Sequence, residues 1–271
     1  MKAHSMTRPL ALPVQDDDID IYMAQHVAVV EMRRPPHNFF DVALIAGLAN
    51  VFEALEADPE CRAIVLCAEG SSFCAGANFS REKDVTEYRS PRAVNPIYGE
   101  AVRLFSCTKP VVAAVHGAAI GGGLGLALVA DFRVACAEAR FSANFNRLGF
   151  HPGFGLSVTL PRLVGLQRSS LLFYTGRRIG GEEAQAIGLV DVLVAQAEVR
   201  TEALKLAQEI ATSAPLAVAS TRKTLRMGLV EAIRQAVAVE SAAQNQEFQS
   251  ADFKEGVAAM AARREPVFSG K

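Results

Sequence analysis

Twenty consecutive residues, Val111 to Ala130, include His116 as their only strongly polar member, and five of the twenty are glycines. A run of that length is first tested as a membrane span. Gly117, Gly121, Gly122, Gly123 and Gly125 make it a poor isolated helix, and no second span or positive-inside flank accompanies it. The run therefore reads as the buried centre of a soluble protein. A strand from Val111 to Val115 leads into a glycine-rich turn and a helix from about Gly122 to Val129.

The same alternation occurs elsewhere. Val27 to Met32 is a short β-branched run. Leu44, Ile45, Leu48, Val51, Phe52 and Leu55 recur at helical spacing, and Ala63 to Ala68 is again a strand. With a further strand at Phe132 to Ala135, this predicts an α/β core of parallel strands. The polar stretch from Arg81 to Gly99, with Pro91 and Pro96, reads as a helical excursion or a loop over a site. A short helix is expected at Glu182 to Ile187 and a last strand at Val190 to Val194. Amphipathic helices follow at Val199 to Thr212, Leu216 to Met227, Val230 to Phe248 and Phe253 to Arg263. We expect a core over 1–195 and a helical region over 196–271 that packs on a neighbouring subunit.

Composition excludes several classes. With 28 Lys+Arg against 29 Asp+Glu in 271 residues the net charge is −1, and the basic residues form no stripe, which disfavours nucleic acid as partner. The cysteines (61, 67, 74, 107 and 136) are odd in number, form no CxxC pair and sit mostly among apolar neighbours, as reduced cytosolic core thiols do. The N-terminus shows no apolar h-region or cleavage site, so a cytoplasmic location is expected.

Two loops carry the candidate chemistry. Gly70 to Asn78 follows the strand Ala63 to Ala68 and is almost entirely small after Phe73, so it offers backbone N–H groups rather than side chains; a plain turn is the alternative. The run His116 to Gly125 is no dinucleotide fingerprint, because Leu126 and Leu128 stand where small residues are needed, and no P-loop occurs. What remains is a glycine-rich helix start with free N–H groups. Two such amide sources can converge on one carbonyl oxygen.

Taken together, Phe73-Cys74-Ala75-Gly76-Ala77-Asn78, Lys109-Pro110-Val111 through Gly121-Gly122-Gly123, Ala130-Asp131-Phe132-Arg133 and Leu148-Gly149-Phe150-His151-Pro152-Gly153 resemble the crotonase superfamily, the enoyl-CoA hydratases and isomerases. Leu160 to Gly165, Thr175 to Ile179 and Ala184 to Asp191 extend the resemblance over nearly the whole chain. It implies a spiral of strand–strand–helix repeats with a C-terminal helical layer, assembled as trimers or hexamers. It also implies an acyl-CoA thioester as substrate, coenzyme A being part of that substrate rather than a separate cofactor, and no metal. The thioester oxygen would lie between the amides of Ala77 and Gly122, with Ala75 and Asn78 along the pantetheine path and Arg263 reaching the CoA phosphates. An enolate oxyanion needs such fixed donors.

The departures limit the reaction. The resemblance places hydratase glutamates at positions 125 and 145, and an isomerase aspartate at 153; Gly125, Phe145 and Gly153 stand there. Hydration needs a base for water and an acid for the α-carbon, which these residues cannot supply. His151, the imidazole nearest the emptied positions, is the candidate base, against the alternative of a structural residue. Asn144 and Asn146 can orient water or a carboxylate but exchange no protons at neutral pH. Asp84, Glu87 and Tyr98 read as a solvated loop face, His116 as fixing its turn, and His37 has no role assigned. The leading reading is an acyl-CoA enzyme working through an oxyanion-stabilised enolate. A decarboxylase-type crotonase, a thioester-binding protein without turnover and a purely structural oligomer partner are the alternatives.

Overall fold

The computed structural model describes residues 17–79 and 95–271, together with the backbone of 7–9. β1 (Thr7–Pro9), β2 (Ile19–Ala24) and β3 (Val27–Met32) open the chain as an antiparallel meander. From β3 the sheet turns parallel, through β4 (Ala63–Ala68), β6 (Val111–Val115), β8 (Phe132–Ala135) and β11 (Val192–Leu193), each pairing with the one before. Their apolar runs follow from that position, since a parallel strand covered on both faces has no side to leave polar. Every residue of β4 and β6 is buried.

The strands between them build a second sheet. β5 (Ser72–Cys74), β7 (Ala118–Ile120), β9 (Arg140–Ser142) and β10 (Ile179–Gly180) lie in the order β10-β9-β7-β5. Three successive units, β4–β5, β6–β7 and β8–β9, each place one strand in the first sheet and the next, short one in the second, in keeping with the strand–strand repeat expected from the resemblance. Both segments read from sequence as loops contain these strands, because two or three residues are too few for alternation to register.

Helix α1 (Val42–Ala57) starts where Asp41 accepts the Leu44 N–H at 2.9 Å, and it buries all six of the expected apolar positions. Helix α2 (Pro96–Ser106) is capped by Asn95, has proline at its first position and packs on α1. Of the polar stretch before it, residues 80–94 lie outside the described residues, so Asp84 and Glu87 do too. The apolar run over 111–130 becomes β6, β7 and the short helix α3 (Gly122–Ala127), of which β6 and α3 are buried throughout. Among the described residues no helix is long and apolar enough to cross a membrane.

Beyond β9 come a 3₁₀ turn (Asn144–Leu148), α4 (Leu156–Val164), α5 (Leu166–Thr175) and α6 (Gly181–Ala186). Helices α4 and α5 had no counterpart in the sequence reading. Arg133, buried at the start of β8, holds this region down: its guanidinium donates to the carbonyls of Leu189 (2.6 Å) and Ala130 (3.0 Å) and pairs with Asp191 at 3.1 Å. The C-terminal helices are α7 (Val199–Thr212), α8 (Pro215–Leu225), α9 (Leu229–Glu247) and α10 (Ala251–Ala261). Val199, Ala203, Ala207 and Ala211 form one buried face of α7, laid against β3, β4, β6 and β8. Helix α8 buries none of its residues.

All five cysteines are buried and free, and burial pushes the thiols of Cys61, Cys67 and Cys74 up to about 12.

Candidate active site

The two small-residue loops meet. A β-carbon built on Gly76 would lie 2.7 Å from the Ile120 carbonyl oxygen and 3.6 Å from the Gly122 nitrogen. One on Gly123 would lie 2.0 Å from the Cys74 carbonyl oxygen, so α3 rests directly on the end of β5. Gly76 also has φ +82°, a region other residues enter only with strain. Glycine is required at both positions, by close approach at one and by both constraints at the other.

A third segment clamps the first loop. Asn38 is fully buried; its amide donates to the carbonyls of Glu69 (2.6 Å) and Ser72 (2.8 Å), and its side-chain oxygen accepts the Arg34 N–H at 2.9 Å. The Ala75 N–H donates to His37 (2.9 Å) and the Phe40 N–H to Gly76 (3.0 Å). His37, unassigned from the sequence, contributes through its backbone. Among the described residues no protein acceptor takes the N–H of Ala77 or of Gly122.

Ala75, Ala77, Asn78 and Gly122 line one cavity of about 310 Å³. Aromatic rings make much of its wall. Phe40 covers Gly122, since a β-carbon there would sit 2.3 Å from the ring's Cζ; Phe145 meets Phe150 edge-on at 5.4 Å, and Phe79 and Phe248 complete the apolar side.

The positions where the resemblance expects carboxylates are filled by neighbours. A β-carbon on Gly125 would lie 2.8 Å from Phe154 Cβ, so that ring occupies the space of a longer side chain at 125. Phe145 itself lines the cavity. A β-carbon on Gly153 would lie 2.0 Å from Tyr98 Oη and 2.7 Å from Gln244 Nε2. Tyr98 Oη donates to Gln244 Oε1 at 2.6 Å, and Gln244 Nε2 donates to the His151 carbonyl at 2.7 Å. Tyr98 is therefore no solvated loop residue. It is 6% exposed on α2 and lines the cavity, as does Gln244 from α9.

His151 stands elsewhere. Its Nδ1 is 2.7 Å from the Pro152 carbonyl oxygen and its N–H donates to Glu247 at 2.6 Å. It lines an adjoining pocket of about 550 Å³ with Glu247 and Asp252, and is absent from the wall around Ala77 and Gly122. The structure thus separates the candidate base from the paired amides, because the turn that carries it aims Phe150 and Gly153 inward instead.

Beside that turn Glu240 of α9 is fully buried, accepting the N–H groups of Gly155 (2.9 Å) and Ser157 (3.1 Å) and the Ser157 hydroxyl (2.5 Å). Burial pushes its carboxyl above the usual range, against the opposing pull of those hydrogen bonds and of His151.

Arg263 is exposed in the turn after α10, whose Met260 reaches the cavity wall. Arg178, at the edge of β10, lines the cavity and was quoted in the sequence only as part of a motif. Asn144 also lines it, its Oδ1 3.4 Å from where a β-carbon on Gly121 would be. His116 Nε2 lies 3.0 Å from the Gly70 carbonyl oxygen, away from the cavity, in keeping with a turn-fixing residue.

Comparison with known proteins gives one answer. The family model for enoyl-CoA hydratase/isomerase matches residues 23–271. A putative enoyl-CoA hydratase/isomerase of Bacillus subtilis is 32% identical over 248 residues, 91% of this chain and 95% of that protein. A short-chain-enoyl-CoA hydratase of Clostridium acetobutylicum is 35% identical over 242 residues, 88% of this chain and 92% of that one. The crystal structure of an enoyl-CoA hydratase/isomerase from Pseudoalteromonas atlantica superposes with a TM-score of 0.81 at 29% identity, covering 93% of this chain and 100% of the other.

Proposed function

The chain belongs to the enoyl-CoA hydratase/isomerase family, and on that premise we propose that it acts on an acyl-CoA thioester by stabilising the enolate oxyanion between the N–H groups of Ala77 and Gly122. The observation that carries this reading is the meeting of two loops in which, among the described residues, the N–H groups of Ala77 and Gly122 have no protein acceptor, at the wall of one cavity rich in aromatic rings. Two fixed donors aimed at a developing negative charge, in a site that excludes water, lower a barrier without reorganising. Removing one such donor costs about 3 kcal/mol in well-studied enzymes.

The cavity favours reactions with little proton transfer. Phe154, Phe145 and the Tyr98–Gln244 pair occupy the three places where carboxylates are expected. Decarboxylation of a malonyl-type thioester suits such a site: the C–C bond breaks, carbon dioxide leaves, and its electron pair becomes the enolate that the amides hold. Ala75 and Asn78 are assigned to the pantetheine arm, and Arg263, exposed beyond α10, to the CoA phosphates, with Arg178 a second cation at the cavity.

The test is a panel of acyl-CoA thioesters in deuterium oxide, read by mass spectrometry. Loss of carbon dioxide or uptake of deuterium at the α-carbon is expected for at least one of them. Crotonyl-CoA hydration should fall about 10²–10⁴-fold for each missing acid or base, relative to a glutamate-bearing member of the family. Rapid water addition would show that another group does the proton transfer. Thioester binding without any turnover would reduce the reading to a binding protein.

A further inference from the structure

We propose that Asn144 and Arg178 recognise a carboxylate on the acyl group, so that the favoured thioester carries a negative charge close to its thioester carbon. The inference rests on the thioester reading above and names the class of acyl group. Both residues reach the cavity from one end of the β9–β10 pair. Ile179 faces Phe141, which sets Arg178 opposite Ser142, and the Ser142 hydroxyl donates to the Gly176 carbonyl at 3.0 Å. A β-carbon on Gly176 would lie 3.3 Å from Asn144 Cα, so the two segments run side by side to the wall that Asn144 and Arg178 line. Asn144 Oδ1 is 3.4 Å from where a β-carbon on Gly121 would be, and Gly121 immediately precedes Gly122. The amide therefore stands beside the loop assigned to the thioester oxygen rather than at a remote end of the cavity.

The two side chains are available. Among the described residues neither the Asn144 amide nor the Arg178 guanidinium has a hydrogen-bond or ion-pair partner, whereas Tyr98, Gln244 and Asn78 on the same wall are engaged. Glu182 and Glu183 share an outer cleft with Arg178 and Arg140, yet neither pairs with Arg178. A carboxylate laid among the phenylalanine rings alone would be buried without a partner; beside Asn144 and Arg178 it meets a donor and a cation. The terminal torsion of an asparagine is broad, so Nδ2 can turn to donate. The division of labour suits decarboxylation. As the C–C bond breaks, its electron pair passes to the enolate and the carboxylate leaves as neutral carbon dioxide, so a contact that holds the ionised group too firmly opposes the step. A neutral amide orients the group with less of that penalty, and the exposed Arg178 draws the anion towards the cavity through its field.

Isothermal titration of the full chain with two stable thioethers, S-(2-carboxyethyl)-CoA and S-butyl-CoA, tests this, alongside the same thioethers of pantetheine, which lack the nucleotide phosphates. The carboxyethyl compound should bind about tenfold more tightly than the butyl compound in both series, the low end for a hydrogen bond to a charged group. Asn144→Ala and Arg178→Gln should each bring the two compounds within about threefold of one another. Equal binding of both compounds by the wild type overturns the proposal. So does a preference that survives in either folded variant. An Arg178→Gln effect that falls equally on both CoA thioethers and vanishes with pantetheine overturns it too, by assigning Arg178 to the nucleotide phosphates. Butyryl-CoA is the control for the thioester reading: if it binds while the carboxylate gives no advantage, only the recognition proposal falls, and if no CoA compound binds, both fall.

Discussion

Gly122 and Gly123 are neighbours with different duties. The first lines the cavity beneath Phe40; the second lets α3 touch the end of β5, with only 2.0 Å between its would-be β-carbon and the Cys74 carbonyl oxygen. Gly123→Ala should therefore push α3 off β5. Overpacking of this kind costs about 1–3 kcal/mol, read as a lower urea midpoint. Widening the gap should also weaken thioester binding, whereas unchanged stability and affinity would show that the contact is not tight. The two loops that meet at the cavity were legible in the sequence because small residues after a strand leave little but backbone to offer. Tyr98 and Gln244 were not: they lie 146 residues apart on different helices, and only folding brings them to Gly153. For His151 the residue type was informative but its direction was not, since a turn has no periodicity to aim a side chain.

Among the elements, α9 governs the site from behind. Its Gln244 reaches the cavity, its Glu247 holds the His151 N–H at 2.6 Å, and its Glu240 receives three hydrogen bonds at the start of α4. The raised carboxyl of Glu240 has a defined consequence for pH. A carboxyl with a higher folded than unfolded pKa contributes stability that is fully present below the unfolded value, about 4.3, and is lost as pH rises through the folded value. Denaturation midpoints should thus carry a component that falls with pH above that point, and Glu240→Gln should remove it; equal pH slopes in the two proteins would contradict the assignment. β3, β4, β6 and α1 were visible as apolar runs and helical spacing, whereas β2, as long as β3, was not read because Asp20 and Tyr22 interrupt its apolar residues. The second sheet escaped for want of length, and α4 and α5 fell in a stretch known in sequence only by its motifs.

At the scale of the whole molecule, α8 is the element left uncovered. Leu216 is 86% exposed, Leu225 73% and Met227, just beyond the helix, 79%, while no residue of α8 is buried. An apolar face of this kind marks an interaction surface. We propose that a second copy covers it, as in the homotrimer or hexamer expected from the resemblance. Sedimentation velocity should show a trimer or hexamer that Leu216→Glu with Leu225→Glu converts to smaller species. A wild-type monomer at tens of micromolar would dismiss that assembly. The central claim concerns a single bond, the thioester carbonyl polarised by the Ala77 and Gly122 amides, and isotope-edited Raman spectroscopy of a bound ¹³C=O acyl-CoA reads it directly. The account predicts that the carbonyl stretch moves to lower wavenumber on binding, and that the shift shrinks in Gly122→Pro, which lacks one N–H. A bound thioester whose carbonyl stretch stays at its free value in the wild type would contradict it.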